Sequence, residues 1–208
     1  IYVYILLSNI IFSTAGATVR NIIDPSLGFT LENKYARYVF EPGGMGLSAM
    51  VDLNTGYNHI DPVVGSHLLW EVVFGKGMQR PVIDNNYKPC SYASLVKTAN
   101  GDQVLILEWN ELRFWKEDNI VSIKLTIELP EDNGIAKWRI SVSNLSDYWG
   151  LWEVACPAIN GFPAEGRYDV AFPTTGSGGH LIKNWSDVLQ QRSPSGFFPM
   201  QFMSFNTG

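Results

Sequence analysis

The sequence predicts an all-β fold, a large antiparallel β-sandwich. Three observations predict it. Two consecutive segments alternate apolar and polar residues with a period of 2. Turn-forming residues punctuate the chain throughout, with 19 Gly and 11 Pro in 208 residues. No segment longer than about ten residues carries a convincing helical stripe. Regularly spaced strands separated by turns build a sandwich, not a parallel sheet with crossover helices.

Strands are expected at 29–33 and 35–40, then at 46–53, closed by Asn54-Thr55-Gly56. Another is expected at 67–74, before a turn-rich stretch holding Pro81 and Pro89. Segments 91–98, 103–109 and 111–115 lead into the strongest pattern. In 120–129, Val121, Ile123, Leu125, Ile127 and Leu129 alternate with Ser122, Lys124, Thr126 and Glu128. Pro130-Glu131-Asp132-Asn133-Gly134 breaks the run, and Ala136, Trp138, Ile140 and Val142 then alternate with Lys137, Arg139, Ser141 and Ser143. A period of 2 puts each set on one face, so this is a hairpin with one buried and one wet side. Asn100-Gly101-Asp102 and Asn133-Gly134 suit turn positions that need positive φ. Later strands are expected at 150–156, 168–172 and 200–205. Between them runs a loop-rich stretch, 157–199, that holds Gly176-Ser177-Gly178-Gly179. No internal boundary is expected between 18 and 208.

Charged residues make up 17% and aromatics 13%, a balance that suits a large core. A net charge of −5 argues against a nucleic-acid surface. Ile1 to Phe12 is almost wholly apolar and is followed by Ser13-Thr14-Ala15-Gly16-Ala17. Ala15 and Ala17 place small side chains at an A-x-A cleavage site, so 1–17 reads as an export signal. The apolar run is shorter than the about 20 residues of a membrane span. A secreted, periplasmic or cell-surface product with no stable membrane span is therefore expected; a buried strand or an anchor is the alternative. No basic segment precedes the run, so the signal reads as partial, and the apolar strand before Asn206-Thr207-Gly208 reads as leading into further chain.

Cys90 and Cys156 are a candidate disulfide in an oxidising compartment. Two buried free thiols are the alternative, since a domain this size needs no staple. With no CxxC and no Cys/His cluster, no metal site is expected. The glycine patch lacks the Lys-Ser/Thr ending of a phosphate loop, and no cofactor is expected. Asn144-Leu145-Ser146 and Asn184-Trp185-Ser186 are glycosylation sequons.

Three stretches together resemble the galactose-mutarotase-like supersandwich domains found at the N-terminus of glycoside hydrolases. The first joins Glu32-Asn33, Tyr38-Val39-Phe40 and Gly43-Gly44-Met45 to the D-x-x-T-G-type turn Asp52-Leu53-Asn54-Thr55-Gly56. The second is Val142-Ser143-Asn144 with Trp152-Glu153-Val154-Ala155-Cys156-Pro157-Ala158-Ile159-Asn160-Gly161, similar to a strand followed by P-x-(I/L)-x-G. The third, Pro199 to Asn206, is similar to the last strands before a (β/α)8 barrel. The resemblance covers most of 29–206. It implies a non-catalytic domain of a secreted glycosidase, packed against a following catalytic barrel and lining its substrate cleft. The catalytic carboxylates would then lie beyond Gly208. One alternative is a stand-alone aldose epimerase or polysaccharide lyase on the same fold. An epimerase needs a His acid and a Glu base facing the sugar, and none of His59, His67 and His180 has flanking residues that match one. Another is a carbohydrate-binding or surface adhesion module.

Trp149, Trp152 and Trp185 lie in or beside the loop-rich half and are candidates for carbohydrate or domain-interface contact, because aromatic faces stack on pyranose rings. The ordinary reading of any one of them is packing. Trp138 belongs to the buried face of the hairpin, and Trp109 and Trp115 flank a tight turn where they would pack together. Glu153 and His180 are the acid/base candidates. Glu153 sits between Trp152 and Val154, on the opposite face from both by strict alternation. A carboxyl among apolar residues rises in pKa and becomes a general acid; a solvated carboxylate on the outer face is the ordinary alternative.

Overall fold

The alternation between 120 and 143 holds in three dimensions, and the core is built on it. The computed structural model describes residues 19–60, 65–114, 117–160, 169–174, 178–182 and 204–206; the expected export signal lies outside them. The chain divides into two compact units, Ile1–Gly161 and Phe162–Gly208. In the first unit, β1 (Val19–Ile23), β8 (Tyr92–Lys97), β9 (Gln103–Phe114), β10 (Glu117–Leu129) and β11 (Lys137–Asn144) lie side by side in that order. A second sheet holds β2 (Phe29–Glu32), β3 (Ala36–Phe40), β4 (Leu47–Asp52) and β5 (Tyr57–Asn58). A third places β6 (Glu71–Gly75) between β12 (Gly150–Ala155) and β7 (Val82–Asp84). Every pairing in these sheets is antiparallel. Among the described residues the one helical element is a 3-10 turn, Pro25–Leu27.

Register carries the apolar set of the hairpin across the sheet. Leu95, Leu105, Ile127 and Trp138 form one cross-strand row, and Ala93, Leu107, Leu125 and Ile140 form the next. Val121, Ile123, Leu125, Ile127 and Leu129 are all buried, while their β11 partners on the sheet edge are half-buried. Each buried Leu or Ile contributes about 1.5–3 kcal/mol. The wet face carries ion pairs instead, Lys124 to Glu108 at 3.1 Å and Lys137 to Glu128 at 3.0 Å. Leu31, Tyr38, Phe40 and Leu47 of the second sheet and Val72, Phe74 and Ile83 of the third share this core, which makes the unit β-sandwich-like. Trp138 meets Tyr38 edge-on at 6.2 Å and Phe40 at 6.4 Å between ring centres.

One polar device joins the layers. Asn33 donates through Nδ2 to the carbonyls of Pro130 and Asn133, and its Oδ1 accepts from the amides of Tyr35 and Ala36. The β2–β3 turn is thereby pinned to the β10–β11 turn. The Asp52–Gly56 turn forms as read: Asp52 Oδ1 accepts from Asn54 N at 2.8 Å, Gly56 N donates to Asp52 O, and Gly56 has φ 74°. Gly101 likewise has φ 92°. Gly134 does not have positive φ; a Cβ there would sit 3.1 Å from that of Ala36, so space and not φ asks for glycine.

Three differences from the sequence reading have physical causes. The expected break near Asn110 is a bulge inside one strand. Trp109 pairs with Ile123 and Leu112 with Val121, so β9 spends one residue more than β10 there, and Glu111 takes φ 55°. The extra residue resets the alternation and buries both Trp109 and Leu112. Lys88 Nζ donates to the carbonyls of Asn110 and Glu111, and Asn110 N donates to Ser91 Oγ. Trp109 packs at 79° and 5.3 Å against Trp70; its expected partner Trp115 lies outside the described residues.

The strand expected at 67–74 begins only at Glu71. Before it, side-chain amides take over the backbone. Leu68 N donates to Asn160 Oδ1, Leu69 N donates to Asn85 Oδ1, and Asn85 and Asn86 both donate to His67 O. Such bonds compete directly with a ladder. Finally, β1 was not expected, since Val19-Arg20-Asn21-Ile22-Ile23 does not alternate; its pairing with β8 holds it on the sheet edge, where four of its five residues are exposed.

In the second unit, β13 (Asp169–Thr174) pairs with β14 (Gly178–Ile182) and β15 (Ser204–Asn206). The second half of the glycine patch is thus the start of a strand.

Candidate functional site

The third sheet places two sequence-named residues, Trp152 and Glu153, on an exposed face. The turn leading into β12 is closed by side chains. Asn144 Oδ1 accepts from Ser146 N and Asn144 Nδ2 donates to Trp149 O at 2.7 Å. Ser146 Oγ accepts from the amides of Tyr148 and Trp149. The sequon asparagine is therefore engaged within its own turn; Asn184 lies outside the described residues. This turn sends Trp149 inward, where it is 3% exposed, and Tyr148 outward. Trp149 is a core residue rather than a surface contact.

Trp152 takes the opposite course. In the β12–β6 pairing Leu151 faces Phe74 and Glu153 faces Val73, so Trp152 has no partner and is a bulge. A bulge re-aims the side chain it carries. Trp152 is 63% exposed and lies over Gly75, where a Cβ would come within 3.1 Å of its ring. Strict alternation placed Trp152 and Glu153 on opposite faces; the bulge brings both to the outer one. Glu153 is exposed there, in the solvated setting.

The β6–β7 turn supplies the rest. Lys76 and Gln79 exchange backbone hydrogen bonds around Gly77 and Met78, and Gly77 has φ 57°. Lys76 Nζ sits over the Tyr148 ring, and the Arg80 guanidinium lies 3.9 Å from the Trp152 ring centre. Contacts of this kind are worth about 0.5–1 kcal/mol when exposed. Arg80 Nη1 donates to the carbonyls of Gly77 and Gln79, both at 2.8 Å. The result is a platform of two aromatic rings, each with its own cation. Tyr148, Lys76, Gly75 and Arg80 were not singled out in the sequence. A basic residue on either side of a Gly-Met turn was the available pattern, but its pairing with β12 spans some seventy residues and leaves no local trace.

A second cluster joins His67 to Glu41. His67 Nδ1 lies 2.6 Å from Glu41 Oε1, with the imidazole buried and the carboxylate partly exposed. Glu41 lines a shallow cavity of about 420 Å³ with Phe29, Val39 and Ser48 among its walls. The imidazole is not in that wall. His59 packs edge-on against Tyr57, and burial lowers its pKa against the opposing pull of Asp52.

His180 pairs with Phe172 in the second unit. Its side chain and all of Trp185 lie outside the described residues. Cys90 and Cys156 are free thiols, so the candidate disulfide is not formed. Cys90 Sγ instead contacts the carbonyls of Tyr92 and Glu108. Burial pushes both thiols up, Cys156 to about 12. Among the described residues there is no group of acids, histidines and cysteines that could hold a metal, and no helix long and apolar enough to cross a membrane.

Compared with known proteins, the chain matches no family model and no curated protein.

Proposed function

We propose that this chain is the non-catalytic N-terminal domain of a secreted glycoside hydrolase, with a galactose-mutarotase-like supersandwich fold. In this reading its Trp152 face contacts carbohydrate beside the cleft of a following catalytic barrel. The observation that carries the reading is Trp152 itself: a large aromatic on a bulge, exposed, and braced by Arg80. Exposed indoles held in place by a neighbour suit stacking on a pyranose face.

The test is affinity electrophoresis of the 208-residue chain through gels containing soluble polysaccharides. Retardation that is lost in Trp152→Ala, with the melting temperature kept, supports carbohydrate contact. Retardation that Trp152→Ala leaves unchanged, or none with any polysaccharide, removes that role. A second reading rests on Met78, Val82 and Leu151, which are 99%, 49% and 43% exposed around the same hairpin and strand. An apolar rim of this kind suits coverage by the catalytic domain. Under it, a chain extended through that domain would protect Met78 from oxidation while the 208-residue chain would not.

A further inference from the structure

Arg80 is held more closely than a stacking partner requires. A guanidinium has five N–H donors in a planar fork. Nη1 spends its hydrogens on Gly77 O and Gln79 O, and Cζ lies 3.9 Å from the Trp152 ring centre. Gly75 leaves the room for this, since a Cβ would stand 3.2 Å from Nη1. The Nε–Nη2 edge has no partner among the described residues. That edge presents two parallel donors, the geometry a carboxylate engages with two hydrogen bonds. Its orientation is set by backbone bonds and by the ring, so little freedom is lost on binding.

The charge around it is local. The chain as a whole carries −5, yet Lys76 and Arg80 stand together at the hairpin end of this sheet. The opposing charges on the same face lie further along: Glu153 opposite Val73, then Glu71 opposite Asp84 one row beyond. The face therefore runs from positive at the β6–β7 turn to negative at the other end. A ligand with one acidic group can satisfy it in one direction only.

We propose that the platform binds a carboxylated sugar, with the pyranose ring stacked on Trp152 and its carboxylate received by Nε and Nη2 of Arg80. The proposal rests on the carbohydrate reading above and adds the charge of the ligand. The occupant is a uronate-containing polysaccharide, and Lys76 supplies a second, longer-range attraction. Glu153 repels the acid group and so sets the direction of the chain on the sheet.

Isothermal titration of the 208-residue chain tests it. The probes are oligomers of polygalacturonate, alginate and hyaluronate, each beside its carboxyl-reduced form, which keeps the linkages and removes the charge. At least one acidic oligomer should bind about tenfold more tightly than its reduced form, the ratio expected of one paired charge-assisted contact. Arg80→Lys keeps the charge but loses the fork, and should cut that ratio about threefold. Trp152→Ala should abolish binding of both forms. Glu153→Gln should tighten the acidic oligomer alone, and added salt should weaken it alone. If reduced and acidic forms bind equally, with both lost in Trp152→Ala, the charge preference is wrong and the carbohydrate reading stands. If no oligomer binds in either form, both are wrong. An acidic preference that Arg80→Lys leaves undiminished would also overturn the assignment.

Discussion

Asn85 offers the sharpest test of how the third sheet is held. It is fully buried and bonds the 67–70 segment, where a strand was expected but not formed. Its Oδ1 is the acceptor for Leu69 N at 2.7 Å, and its Nδ2 donates to His67 O at 3.2 Å. Asn85→Ala removes both bonds with unequal results. His67 O keeps the Asn86 amide as a donor, also at 3.2 Å. Leu69 is fully buried, so its N–H loses its acceptor away from water. A buried orphan donor costs about 1–3 kcal/mol, and the second lost bond adds roughly 1 kcal/mol. The expected loss is about 2–4 kcal/mol, or roughly 5–15 °C in melting temperature for a chain of this size. Urea denaturation followed by tryptophan fluorescence measures it, since Trp70 follows Leu69 in sequence and is fully buried. The slope with denaturant should not change, because the exposed surface of the unfolded chain is the same. Asn86→Ala is the control: its side chain is exposed, and its loss should cost well under half as much. A loss below about 0.5 kcal/mol for Asn85→Ala, which is ordinary for a surface change, would refute the account of the 66–70 segment. So would a larger loss for Asn86→Ala.

Gly75→Ala should leave the fold in place, within about 1 kcal/mol, since Gly75 is a strand residue without positive φ. Its Cβ would press on the Trp152 ring and on Arg80 Nη1, so near-ultraviolet circular dichroism should change while far-ultraviolet bands do not; an unchanged near-ultraviolet spectrum would sink the stacked platform. Burial lifts the Cys156 thiol from 9.0 to about 12. Above pH 9 the unfolded thiol releases a proton that the folded one keeps, so the stability it contributes is complete below pH 9 and is lost as pH rises toward 12. Stability measured across that interval should fall less steeply in Cys156→Ala, and an identical slope would contradict the burial of this thiol.

What could be read ahead of the structure was whatever repeats at short range. The hairpin of β10 and β11 was legible because five apolar residues alternate on one strand and three on the next, and period 2 permits one burial pattern only. The Asp52–Gly56 turn was legible because a carboxylate, a threonine and a glycine at those offsets close it locally. The candidate site was half legible. Trp152 was named for its type and place, but so was Trp149, one strand start away and buried. Nothing in the sequence separates them, because what separates them is a bulge, and a bulge is a property of two paired strands.

The same limit explains the other differences. Trp109 met Trp70 because an extra residue in β9 reset its phase against β10. The 66–70 segment lost its ladder to Asn85 and Asn160, which lie some twenty and ninety residues away. By itself the sequence determined that this protein is built of antiparallel strands around an apolar sheet face, since alternation is a local property of the backbone. Only the tertiary structure decided which aromatic reaches the surface and which cation braces it. Those choices depend on register between β12, β6 and the turn that follows, and register is set by partners that the local sequence does not contain.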